Sequence, residues 1–577
     1  MTAAGSRFVS LAFLASALCG IAAETAPAPA PASFTVAAGP WLADRGDGTY
    51  QNPVLFADYS DPDVVRVGDD FWLTASSFNQ VPGLPILHSR DLVNWTLVNH
   101  ALPALDYPDA SGRSLAEHFS TPQHGAGVWA PAIRFHAGKF FIFFPDPDNG
   151  IYVTTAADPR ERWSAPVLVK AGKGLIDPCP LWDDDGRVYL VHGWAKSRSG
   201  KNNQLTVNEL STDATRVLDG EGTIVIDENT AGRGFTTLEG PKLYKHGGDY
   251  WIFAPVGGVT GGSQAVYRAK NVRGPYTPRI VLAQGGTAIN GPHQGGWVDT
   301  PAGENWFLHF QDRGAFGRVV HLEPMAWGAD GWPRMGTAAG TSTECGEPVL
   351  THAKPMTTAK SSPTAPATSD DFDSPALGRQ WQWPANPRAE WSSLTARRGF
   401  LRLAAVPLAS GDDLYDAPNL LLQKFTGPTF TATTVIDAAA LGENADAGLI
   451  VFGYGYASIG VHRATDGVRV RFVRDTNHVP RPASTIVDGS FHLEVFSKAP
   501  IATPKIFLRV SVDAAARCTF AFSADGERFT PMNGGDAFQA TVDRWIGAKV
   551  GLFAAAAPAP DGKNSGCADF DWFRVTP

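Results

Sequence analysis

The chain of 577 residues is longer than a single hydrophobic core supports and reads as two or three domains. A formal net charge of -9 excludes the basic face that nucleic-acid binding requires. With 60 Gly, 44 Pro and 17 Trp and only 18% charged residues, long charged helices are excluded and short strands joined by turns are expected.

The N-terminus reads as an export signal. Arg7 supplies the positive charge, Phe8 to Leu18 an apolar stretch too short to span a bilayer, and Ile21-Ala22-Ala23 a small-residue cleavage site. Leu18 before Cys19 is too large for a lipid-attachment motif. The expectation is a signal over residues 1–23, a Pro/Ala-rich tether over 24–38, and a secreted or periplasmic mature protein with no membrane partner.

From residue 39 to 352 one pattern recurs five times. Each segment carries a turn and an aromatic strand, as in Gly68-Asp69-Asp70-Phe71-Trp72, Gly138-Lys139-Phe140-Phe141, Gly186-Arg187-Val188-Tyr189, Gly248-Asp249-Tyr250-Trp251 and Gly303-Glu304-Asn305-Trp306. Upstream of each turn stands a marked residue beside or near a proline: Asp61, Trp129, Asp177, Glu239 and His293. A repeat of roughly fifty to seventy residues with hairpin signals and no heptads predicts a five-bladed propeller. Equivalent blade positions converge on one axis, so Asp61, Asp177 and Glu239 are expected to meet.

Lys354 to Ser369 is rich in Pro, Thr, Ser and Ala, and residues 353–368 read as a linker. Residues 369–577 hold evenly spaced alternating strands, among them Thr429–Val435, Ala447–Tyr454, Val468–Arg474, Phe491–Phe496 and Ile506–Val512, which predict a β-sandwich. The fold class expected for the whole chain is therefore all-β. Beyond Cys19, Cys179, Cys345, Cys518 and Cys567 fit no zinc spacing. A Cys518–Cys567 disulfide is compatible with export, and Cys179 reads as a buried structural thiol. No nucleotide fingerprint or nucleophile elbow is present, so no organic cofactor is expected.

Four motifs in order make residues 40–350 resemble glycoside hydrolase family 43. They are Asp58-Tyr59-Ser60-Asp61-Pro62-Asp63, Gly127-Val128-Trp129-Ala130-Pro131, Ile176-Asp177-Pro178 and Leu238-Glu239-Gly240-Pro241-Lys242. Gly317-Arg318-Val319-Val320-His321 is similar to the family's fifth blade. The segment from Asp370 onward resembles the concanavalin-like jelly-roll sandwich appended to its xylosidases and arabinofuranosidases. The resemblance implies an inverting enzyme that removes terminal arabinofuranose or xylose from plant cell-wall glycans. Carried over by position, Asp61 is the general base, Glu239 the general acid, and Asp177 the carboxylate that raises the acid's pKa and orients it. Arg318 contacts the terminal sugar. Phe78 and Trp129 are candidate pocket walls. His293 is placed to help bind a channel cation, often calcium, through water.

The chemistry suits those residue types. Glycoside hydrolysis needs one protonated carboxyl for the departing oxygen and one charged carboxylate to activate water. Plainer readings stand beside each assignment. An Asp before Pro is often a turn former, Trp129 could be blade packing, Arg318 a buried ion-pair member, and His293 a hydrogen-bonded core residue. Asp69, Asp70 and Asp183–Asp185 read as solvated turn residues. Asp63, where relatives have Ser, is expected to bring negative charge close to Asp61. An endo-acting arabinanase and a non-catalytic carbohydrate-binding propeller are the alternative functions.

Overall fold

The computed structural model describes residues 41–577 apart from 339–344, 359–360, 409–412, 476–492, 499–504 and 559–564. The expected signal and tether, and part of the strand expected at Phe491–Phe496, lie outside the described residues. The described residues belong to one compact unit.

Five antiparallel blades of four strands follow one another in sequence order, and the sheet of the fourth is extended to six strands by Gly346–Glu347, which joins its outer edge in parallel, and Thr337–Ala338. Their innermost strands are Asp63–Val67, Ala132–His136, Leu175–Trp182, Lys242–His246 and His293–Asp299. The repeated turn glycine has a physical cause. Gly68, Gly138, Gly186, Gly248 and Gly303 all adopt φ between 63° and 83°, the left-handed region that lets two strands reverse tightly. The aromatic strand that follows fills the space between blades, as Trp72, Phe140, Tyr189, Trp251 and Trp306 do.

The ring is closed by chain from outside the blades. Thr49–Gln51 pairs with Thr351–Ala353. The Asn52 amide donates to the carbonyls of Leu322 and Val349, and Leu55 bridges Val320 of the fifth blade. These contacts tie the first turn of the ring to the last.

The second region is a sandwich of two antiparallel sheets. One is centred on Phe430–Asp437, flanked by Lys505–Val512 and Cys567–Thr576; the other on Ala445–Phe452, flanked by Ala457–Ala464 and Lys549–Ala556. Alternate side chains such as Ala432, Leu449, Ile459, Val510, Leu552 and Phe570 form the core between them. Cys518 and Cys567 are both free thiols, so the disulfide considered from the sequence is not formed. Cys179 is buried.

The sandwich core continues into the propeller. Phe56, Phe316 and Val319 of the propeller belong to the same apolar cluster as Phe425 and Phe430. Val81 and Trp383 exchange backbone hydrogen bonds across the junction, and the Asn386 amide donates to Leu105 and Ala116. Asp58 is the polar staple. Its buried carboxylate accepts the Arg318 amide at 2.9 Å and, from the sandwich, the Gly547 amide at 2.9 Å. Asp58→Ala strands both amides, at about 1–3 kcal/mol each. We expect urea denaturation to show a loss of about 2–4 kcal/mol for this variant.

Candidate active site

The five marked residues stand where the inner strand of each blade begins, and in four of the five blades the backbone there is bent alike. Asp61 and Asp177, each before a proline, have φ of 55° and 56°. In the fourth and fifth blades the bend falls one residue later, at Gly240 (φ 60°) and Gln294 (φ 37°). A left-handed conformation at Asp or Gln stores strain of order 1–3 kcal/mol and persists only where packing over-determines it.

Asp61 is 5% exposed and surrounded by donors. Its Oδ2 accepts hydrogen bonds from Ser76 Oγ at 2.6 Å and Ser60 Oγ at 2.7 Å. Arg318 Nη1 lies 3.3 Å from Oδ1 and donates to Ser60 Oγ at 2.8 Å. Arg318 therefore holds Asp61 directly, with its guanidinium above the Phe310 ring.

Asp177 sits in a bulge of its strand and is 2% exposed. Its Oδ2 accepts the Gly240 amide at 2.7 Å, and that glycine follows Glu239. Burial, then the charge of Glu239, with a smaller push from Asp61, raises the Asp177 carboxyl to about 8. That Asp177 responds to both other carboxyls shows that the three converge.

Glu239 is the exposed member of the trio, with 27% of its side chain accessible. His293 Nε2 lies 2.8 Å from its Oε1. His293 itself is buried, and its Nδ1 has no hydrogen-bond partner.

The remaining candidates fall on one wall. Trp129 is half-buried; its Nε1 donates to Gly125 at 2.9 Å, and the Arg198 guanidinium lies over its ring. Phe78 is 2% exposed and meets Trp129 edge-on at 6.2 Å, so it supports that ring from behind. Trp545, from a turn of the sandwich, meets Trp129 at 5.7 Å and is 45% exposed. Nothing in the sequence repeat pointed to it.

The turn bearing Trp545 is anchored by charge. Asp543 Oδ2 lies 3.0 Å from His124 Nδ1 of the propeller, Tyr415 donates to its Oδ1 at 3.0 Å, and the Tyr415 ring stacks on His124. Burial disfavours a charged His124, but the Asp543 and Asp416 carboxylates outweigh it and raise the imidazole to about 9. Near neutral pH this is an ion pair across the junction.

Two expectations are corrected. Asp63 does not place free negative charge beside Asp61. Its buried Oδ2 is 2.6 Å from Arg134 Nη1 and accepts the Ile133 amide. Asp183 is not a solvated turn residue. Its carboxylate is buried and bound by Lys245 and by the Tyr250 hydroxyl. Also missed was Lys242, three residues after Glu239, which is fully buried and donates to Pro131 at 3.0 Å.

A buried carboxyl that keeps its proton, a second carboxylate ringed by donors and a partly exposed third beside a histidine can deliver and accept protons on a sugar. Such a trio at one end of a five-bladed propeller defines a glycosidase. The family model for glycosyl hydrolases family 43 matches residues 50–333, and that for the beta xylosidase C-terminal concanavalin A-like domain matches residues 369–576. A putative beta-xylosidase of Xylanibacter ruminicola is 37% identical over 509 residues, 88% of this chain and 86% of its own. A non-reducing end alpha-L-arabinofuranosidase of Bacteroides ovatus is 28% identical, over 93% and 96% of the two chains. Among solved structures, a bifunctional GH43-CE protein of Bacteroides eggerthii superposes with a TM-score of 0.75 at 27% identity; the match covers 91% of this chain and 63% of that one. The chain belongs to glycosyl hydrolase family 43, with the family's xylosidase-type sandwich.

The raised Asp177 carboxyl sets a pH dependence. The folded protein holds a proton there that the unfolded chain releases near its ordinary value of 3.8, so this contribution to stability is complete below that pH and is lost as pH rises through about 8. Denaturation midpoints measured from pH 4 to pH 8 are expected to fall more steeply for the native protein than for Asp177→Asn.

Proposed function

We propose that the protein is an exo-acting, inverting glycosidase that releases terminal xylose from xylan-derived oligosaccharides, and that Asp61 is its base and Glu239 its acid. The observation that carries the reading is the division of labour within the trio. The accessible carboxyl of Glu239 adjoins a buried carboxyl, Asp177, that retains a proton near neutral pH. The pair thus holds a proton beside the pocket. Asp61 is set apart by two serine hydroxyls and an arginine, all donors that favour the anion.

In the step so derived, Asp61 takes a proton from water as the water oxygen bonds to the anomeric carbon. The bond from that carbon to the leaving oxygen breaks with its electron pair, and Glu239 gives that oxygen its proton. The anomeric configuration inverts once. Ser60, Ser76 and Arg318 hold Asp61, and His293 holds Glu239. Terminal action is supported by Trp545, which meets the marked Trp129 of the second blade and in this reading closes one side of the sugar site. The xylose preference is supported by the beta-xylosidase names of relatives at 37% and 31% identity, and arabinofuranose is the second substrate to test.

The channel cation implied by the resemblance fits a contact through water. His293 Nδ1 is buried without a partner, ready to accept a hydrogen bond from such a water, and no group of three His, Cys, Asp or Glu side chains gathers among the described residues to bind a metal directly. When bound, the ion would supply positive charge that fixes the imidazole supporting Glu239. Export through residues 1–23 is part of the proposal, and N-terminal sequencing of the protein recovered outside the cytoplasm tests it.

A panel of nitrophenyl glycosides reads the sugar. Glu239→Gln should lower kcat on xylobiose by about 10²–10⁴ yet retain most activity on a dinitrophenyl xyloside, whose leaving group needs no acid. Asp61→Asn should lower both. Equal loss on the two substrates for Glu239→Gln would remove the assigned acid. Proton NMR of the first product should show α-xylose from a β-xyloside.

The wall contributed by the sandwich is tested separately. Trp545→Ala should raise KM for xylobiose several-fold, with little change in kcat on nitrophenyl xyloside, and should admit internal cleavage of xylan. Unchanged KM and product pattern would show that the wall plays no part.

A further inference from the structure

A cavity of about 40 Å³ lies where the propeller, the connecting segment and the sandwich meet. The propeller lines it with Tyr59 and His100, the connecting segment with residues 365–368, and the sandwich with Arg379 and Lys424. None of the carboxyl trio touches it. The volume has room for about three waters or one small ion.

The charge around this cavity is unbalanced. Lys424 stands over the Tyr59 ring, 5.2 Å from its centroid. Neither Lys424, His100 nor Arg379 has a hydrogen-bond or ion-pair partner among the described residues. Directly opposite Lys424 on the neighbouring strand is Lys549, 1% exposed. Burial lowers both lysines, Lys549 to about 7 with the charge of Lys424 added; the acids that oppose this are Asp58, each of whose oxygens already accepts a backbone amide, and, for Lys549, Asp543, which is engaged by His124. Cations placed this way in low dielectric are unfavourable without a counter-charge.

The groups also form a donor set. Burial, then the charges of Lys424 and Arg379, holds the His100 imidazole neutral, down to about 3, so it keeps one N–H to donate. Lys424 offers an ammonium and Arg379 a planar guanidinium fork, which suits oxyanions. Arg379 is exposed, so the cavity has an entrance from solvent.

We propose that this junction binds a small oxyanion of sulfate or phosphate size, held by Lys424 Nζ, the Arg379 guanidinium and a His100 N–H. The bound anion joins the propeller to the sandwich.

The test is thermal unfolding of the full chain at pH 7 in rising sodium sulfate, with sodium chloride adjusted to hold ionic strength constant, and a parallel series in phosphate. The expected result is a saturable rise in Tm of a few degrees. Arg379→Gln, at an exposed position that leaves folding intact, should cut the response severalfold, and Lys424→Gln should abolish it. Isothermal titration with sulfate should give one site per chain in the native protein and none in Lys424→Gln. Sulfate also stabilises proteins generally by exclusion from their surface. A rise without saturation, a rise equal in native protein and Arg379→Gln, or no rise in either anion series would overturn the proposal. Should Lys424→Gln fail to fold, the comparison with Arg379→Gln decides alone.

Discussion

Closing five blades into a ring forces the start of every inner strand onto one axis, and that constraint carries carboxyl groups into the protein where water cannot hydrate them. A buried carboxyl keeps its proton unless donors or cations compensate its charge. The trio divides along this line. Asp61 has Ser60, Ser76 and Arg318 around it. Asp177 has the Gly240 amide, a long 3.5 Å contact from Gln294 Nε2 and a like charge for a neighbour, and its carboxyl rises to about 8. The proposed acid and base roles rest on this difference in environment.

The same constraint explains the bent backbone. In four of the five blades the strand that enters the ring at its axis turns sharply, at Asp61, Asp177, Gly240 and Gln294. The bend points the side chain beside it into the site, and the packed ring holds the strain. The Gly240 amide, freed from the strand ladder by this bend, is the one that reaches Asp177. One local distortion therefore both aims Glu239 and anchors its neighbour.

The sandwich is bound closely to the propeller. Its core is continuous with the propeller through Phe56, Phe316 and Phe425, and Asp58 and His124 tie polar groups across the junction. These ties hold the turn from Asp543 to Gly547, and with it Trp545, against Trp129. The Trp129–Trp545 pair is drawn from two domains, whereas the carboxyl trio comes from the propeller alone.

The propeller was legible because its cause is local and repeated. A glycine at positive φ, an aromatic strand and a marked residue before it recur in each blade, and ring geometry converts that repeat into convergence at an axis. The alternating strands of the sandwich were legible for the same reason. Residues whose partners are distant in sequence were not. Asp63 looked like added negative charge because Arg134 lies in the next blade, and Asp183 looked solvated because Lys245 does. Trp545 carries no periodic signal, since its place depends on how two domains dock. The sequence alone determined the architecture and which acids share the axis, because both follow from short-range pattern. Only tertiary structure decided which charges are compensated and which aromatic rings meet across the junction, because electrostatic pairing and docking depend on distances that the order of residues does not encode locally.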